Sequence, residues 1–205
     1  MELETVKKDL LEKSEKDFFM KYIIKSYNWY FAEYQKIPVD CLAERLDLLN
    51  EIVSLRFGIG FHSIQIVGSA KTGFSLSPYK IFAPFRETFE GKESSDIDIA
   101  LVSDYWYSLF WQKIKRTPQI YYSENQELFV RLSKSIFKGF INEKDICKIT
   151  NLRVMWHRYA DLANKELQDR LSFVHPITYR IYRSWEDLED YQLYGIKKAK
   201  QQLER

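Results

Sequence analysis

Two aspartates one residue apart, Asp96 and Asp98, open the apolar run "DIDIALVS". On a strand, residues i and i+2 project from the same side, so the two carboxylates share a face while Ile97 and Ile99 turn into the core. Two hard oxygen ligands placed this way suit Mg²⁺ or Mn²⁺, since Mg²⁺ takes one or two protein carboxylates and completes its shell with water and substrate phosphates. A pair of such ions roughly 4 Å apart can hold both the attacking and the leaving oxygen of a phosphoryl displacement. Earlier in the chain the run "HSIQIVGS" stops at Gly68 and Ser69. A glycine lets backbone approach a phosphate closely, a Ser hydroxyl and exposed N–H groups donate to its oxygens, and Lys71 supplies positive charge. One strand end would grip a triphosphate and its neighbour would carry the metals.

Neither half is specific alone, because a Gly-Ser pair is an ordinary turn and Asp-x-Asp an ordinary solvated strand end. Their conjunction, strand, Gly-Ser, polar connection, then Asp-x-Asp heading a second strand, carries the argument. An EF-hand is excluded because the third acidic position, the Gly and the distal Glu do not follow in register. A Walker A loop is absent, and so is any Ser, Cys or His signature of nucleophilic hydrolysis. His62, His157 and His175 are scattered and read as packed or surface residues. Tyr191 and Tyr194, near the C-terminus, read as packing residues of a helix face, with a secondary role as hydroxyl acceptors of a nucleotide.

These residues need strands to present them and helices to bury the strands. The opening stretch up to Pro38 repeats Leu10, Leu11, Phe18, Phe19, Tyr22 and Ile23 at helical spacing, which predicts one long helix or two close ones. A second amphipathic helix carries Leu42, Leu46, Leu49 and Val53 and closes at Gly58–Gly60. Residues Ala70–Ser95 read as a polar connection of loop with room for one helical turn. Beyond the second strand, "DYWYSLFWQKIKR", "SENQELFVRLSKSIFKGF" and "NLRVMWHRYADLANKELQDRL" read as helices, the middle one with Ser123 and Gln126 as a capping box. "ITYRIYRS" is the third strand, and Ser184 caps a final helix whose acidic-to-basic order suits the helix dipole. The order is that of an α+β protein with a small mixed sheet and N-terminal, inserted and C-terminal helices. It divides as residues 1–38, an N-terminal helical segment; 39–184, the core; and 185–205, the C-terminal helix.

The bulk properties fit this frame. The chain has 205 residues, 45% hydrophobic and 29% charged, enough for one domain with a real core. A net charge of +2 excludes a global basic field of the kind many nucleic-acid binders carry, so a polyanion would need a local patch. The two cysteines, Cys41 and Cys147, have no metal-ligand spacing, and no apolar run reaches membrane-spanning length. With no secretory leader pattern at the start, the expected location is the cytoplasm.

At Ile64–Val102 the sequence resembles the DNA polymerase β nucleotidyltransferase superfamily, whose pattern is an apolar strand, Gly-Ser, a connection, and Asp-x-Asp flanked by apolar residues. The string "GSAKTGFSLSP…SSDIDIALVS" is similar to small bacterial members, several linked to defence against phage. The resemblance spans roughly residues 39–184. It implies transfer of a nucleoside monophosphate from a nucleoside triphosphate to a hydroxyl, with Mg²⁺ or Mn²⁺ as cofactor. Gly68 and Ser69 would contact the triphosphate, and Asp96 and Asp98 would bind metal. The implied product is a short oligonucleotide or nucleotide signal. The alternatives are nucleotidylation of a protein or tRNA in a toxin–antitoxin pair with an operon-encoded partner, or a catalytically weak nucleotide-binding regulator. Two departures stand out. The connection to Asp96 is long and carries Lys80 and Arg86, and the third strand, with Thr178, Arg180 and Tyr182 on one face, lacks the third carboxylate the family usually has. Asp145 and Asp161 are the substitutes in sequence.

Overall fold

The computed structural model of the chain describes residues 2–86 and 94–204. It is an α+β structure built on a small mixed sheet of four strands among the described residues. In chain order these are β1 (Ile64–Val67), β2 (Ile97–Val102), β3 (Phe140–Asn142) and β4 (Ile177–Tyr182). Their order in space is β1-β2-β4-β3. The central pair β2 and β4 is parallel, with Asp98 opposite Thr178, and the edge strands β1 and β3 run antiparallel to it.

Alternation along the strands sends side chains to two separate cores. Ile97, Ile99 and Leu101 point to one face together with Ile64, Ile66, Tyr179 and Ile181, and all are buried. That face is covered by α3 (Leu42–Phe57), α5 (Asp104–Lys115), α7 (Gln126–Phe137) and the long α9 (Thr150–Leu171). Phe57, Trp106, Phe110 and Trp156 fill the space between these helices. The opposite face presents Val67, Ala100, Tyr182 and Phe140 to a second core. It is covered by α1 (Leu3–Glu12), α2 (Glu15–Phe19) and α10 (Trp185–Leu203), through Val6, Leu10, Phe18, Leu188 and Ile196. A one-residue slip of β2 would exchange its two sets of side chains, so the double burial fixes its register. By the same alternation Asp98 shares the second face with Ala100.

The opening stretch, expected as one helix or two, is three pieces: it breaks at Lys13, restarts at Ser14, whose hydroxyl accepts the Asp17 N–H at 3.1 Å, and breaks again over residues 25–28. Wider π-type turns follow at Met20–Ile24 and Tyr30–Tyr34. The sequence helices at residues 42–57 and 150–171 are present, and Ser184 caps α10 by accepting the Asp187 N–H at 3.2 Å. Three other expectations change. Ser123 is no cap: it lies inside α6 (Gln119–Glu124), donates to the Ile120 carbonyl, and leaves Asn125 at the junction with α7. The end of that helical reading, from Phe140, becomes β3, a strand of three residues and too short to show a period. Gly68 and Ser69 do not sit in an open turn but begin a short helix, α4 (Gly68–Thr72).

The connection after α4 is ordered as far as it is described. Phe74 bridges Pro84, Ser75 and Phe82 each donate across the excursion, and Lys80 N–H closes its tip on the Ser77 carbonyl. Residues 87–93 of the expected loop lie outside the described residues.

Candidate active site

Asp98 lies near the start of β2, where its neighbours are Val67 on β1 and Thr178 on β4. The Thr178 hydroxyl donates to Asp98 Oδ1 at 3.0 Å. The other oxygen faces the β1 end: a Cβ on Gly68 would stand 2.6 Å from Asp98 Oδ2. Gly68 also has φ of +67°, a left-handed value that disfavours other residues. The Gly of Gly-Ser is therefore dictated first by the carboxylate it abuts. The motif halves expected to cooperate do touch.

Asp96 and Asp98 line a polar cleft of about 560 Å³, within the usual range for a small-molecule site. Ser69 and Ser75 enter from the β1 side, and Lys80 and Arg86 from the connection. Ser94, Ser95 and Pro176 border the aspartates, and Lys144 closes the far wall. Lys144 follows directly on Glu143, the first residue of α8 (Glu143–Ile146), and its ammonium meets Asp96 Oδ2 at 2.6 Å. Nothing in the sequence pattern pointed to it.

Burial pushes the Asp98 carboxyl above the usual range, against the field of Arg180 and the Thr178 hydrogen bond. Asp96 adds to the upward push and Lys144 opposes it. Lys144 is held above its ordinary range chiefly by its bond to Asp96. The cleft thus contains one carboxylate already paired with a cation and one short of compensating positive charge. Two carboxylates side by side are a donor type that could hold a hard cation, which would supply the missing charge. Among the described residues no three His, Cys, Asp or Glu side chains converge, so the protein itself would leave most of such a cation's shell open.

Lys71 is placed elsewhere. Its side chain is buried, its ammonium donates to the Lys25 carbonyl at 2.5 Å, and it does not line the cleft. Desolvation lowers its pKa to about 8. On a helix, residues two apart point about 200° away from each other, so if Ser69 faces the cleft Lys71 cannot. Tyr191 packs on Phe140 and under the Arg180 guanidinium, and Tyr194 is exposed on α10 beside Lys138 and Lys198. The structure brings neither tyrosine to the cleft wall.

No third carboxylate lines the cleft among the described residues. Asp145 pairs with Arg131 and Lys148, and Asp161 with His157 at 2.8 Å on the outer face of α9. Glu143, next to Lys144, accepts the Trp156 indole N–H and the Tyr179 backbone N–H, each at 2.7 Å. It is a structural brace. Beside Asp98, β4 offers Thr178 instead of an acid. His62 contacts Phe61 edge-on and His175 is buried against Tyr30, Tyr34 and Phe85, consistent with packing roles.

No known protein family, no curated protein and no solved structure matches this chain.

Proposed function

We propose that the protein is a metal-dependent nucleotidyltransferase, acting on a nucleoside triphosphate in the cleft at the head of β2. The observation that carries the reading is the contact of Gly68 with Asp98 at the head of a cleft lined by Asp96, Ser69, Lys80 and Arg86. Mg²⁺ or Mn²⁺ bound by Asp96 and Asp98 would neutralise the phosphates and polarise the one under attack. Ser69 donates to a phosphate oxygen, and Lys80 and Arg86 balance the charge of the leaving pyrophosphate. Lys144, paired with Asp96 here, stands where it could also meet a phosphate bound in the cleft. With Thr178 in place of an acid beside Asp98, the protein offers no third carboxylate among the described cleft residues to take the acceptor's proton. That favours an acceptor hydroxyl delivered and oriented by its own binding. A nucleotide chain, a tRNA end or a partner protein fits this requirement, in a defence or toxin–antitoxin setting.

A second reading, a regulator that binds nucleotide without turning it over, is favoured by the same missing carboxylate. One experiment separates the two. The protein is incubated with each nucleoside triphosphate labelled at the α-phosphate, with Mg²⁺ or Mn²⁺ and with total tRNA. Transfer puts label on an oligonucleotide, tRNA or protein, whereas the regulator returns the triphosphate intact.

A further inference from the structure

On the flank away from the aspartates, the end of α5, the start of α6 and the first turns of α9 enclose a groove of about 770 Å³. Its floor and sides are aliphatic, from Ile120, Ile149, Leu152, Val154 and Met155. Ile120 is 71% exposed and Val154 52%, with Trp111 and Tyr122 exposed on the adjoining helices. Apolar side chains gathered this closely on a surface mark an interaction site more often than scattered ones do. The rim is cationic: Lys113 on α5, Arg116 at its C-cap, and Arg158 on α9. None of the three pairs with another described residue, and no acid lines the groove among the described residues. The walls are fixed in advance: Tyr121 donates its hydroxyl to the Lys148 carbonyl at 2.8 Å, and Asn125 holds the Tyr121 carbonyl at 3.0 Å.

We infer that this groove docks an amphipathic helix of a partner protein, apolar along one stripe and carrying Asp and Glu along its edges. An aliphatic floor receives the anchors of such a helix at i, i+3, i+4 and i+7, and Met155 adapts to their shape. The unpaired rim cations select acidic edges and steer the encounter. RNA is the poorer fit, because the floor is aliphatic where single strands need aromatic platforms. The inference is independent of what Asp96 and Asp98 do.

The test uses a fluorescein-labelled synthetic peptide of about sixteen residues, roughly four helical turns, of Leu and Glu in amphipathic order. Fluorescence anisotropy should show micromolar binding to the whole protein that weakens with salt. The double variant Arg116→Glu, Arg158→Glu should weaken it by about tenfold or more, as should Val154→Asp, while Lys134→Glu on α7 leaves it unchanged. All four positions are exposed, and circular dichroism confirms that the variants fold. Equal affinity in the groove variants, or equal affinity for a peptide with its Leu replaced by Ser, overturns the inference. So does a single-stranded RNA that binds more tightly and loses its affinity in the same variants, or self-association of the protein that they abolish.

Discussion

Asp98 is held at the start of β2 with too little compensating charge, and this single residue yields the sharpest expectation. Its pKa is raised by burial, so above the ordinary carboxylate value of 3.8 the unfolded chain releases a proton that the folded one retains. Its contribution to stability therefore falls as pH rises from there through the raised value, then stays as a constant penalty. Asp98→Asn keeps an acceptor for Thr178 and removes the penalty. The variant should melt above the wild type at pH 7, with the gap closing toward pH 4, while transfer is lost. Adding Mn²⁺ with triphosphate should raise the wild-type melting temperature and leave the variant unmoved. Thermal melts across pH and cation concentration check all three outcomes. At Gly68 the strain is steric. Gly68→Ala places a Cβ against Asp98 Oδ2 at φ of +67°, and urea unfolding should show a loss of about 1–3 kcal/mol. Pyrophosphate release should fall with it, because the carboxylate must move to make room.

At the scale of elements, one buried and one half-buried side chain tie pieces together that the sheet alone does not. Lys71 fastens α4 to the chain after the Met20–Ile24 turns through the Lys25 carbonyl. Its pKa of about 8 lies below the ordinary 10.5, so between those values the unfolded chain binds a proton that the folded one does not. Stability should rise with pH across that window, and below it the penalty is constant, with a slope limited to about 1.4 kcal/mol per pH unit. Lys71→Met should flatten the rise, as seen in the difference between wild-type and variant urea midpoints at pH 8 and about 10. Glu143 ties α8 to α9 and β4. Glu143→Ala orphans two N–H donors, and equilibrium unfolding should show a loss of about 2–5 kcal/mol. The sequence shows Gly-Ser-x-Lys, which suggests a phosphate ligand at Lys71, but does not show that Gly68 starts a helix. Once α4 turns, the ammonium swings from cleft to core. Glu143 and Lys144 were invisible for another reason: they follow a three-residue strand that carries no readable alternation. Asp96, Asp98, Gly68 and Ser69 were legible because each stands at the end of a strand with a clear apolar pattern.

For the whole molecule, the α+β class was legible in the alternation of β2 and β4 and in the amphipathic helices. The fourth strand and the covering of one face by both termini were not, since they depend on contacts between distant segments. Those contacts bring α1, α2 and α10 against the face that carries Asp98, so the N-terminal and C-terminal helices support the site's back. They also remove Tyr191 from the cleft by packing it on Phe140 and Arg180. The central claim is that Asp96 and Asp98 hold the cation for nucleotidyl transfer. Pyrophosphate release from nucleoside triphosphates tests it, measured for the wild type and the Asp96→Asn, Asp98→Asn double variant with Mg²⁺ or Mn²⁺, acceptor present, and melting curves as the control for folding. The account predicts release that requires the cation and vanishes in a fully folded double variant. Release that persists in that variant, or none from the wild type with any triphosphate, contradicts it.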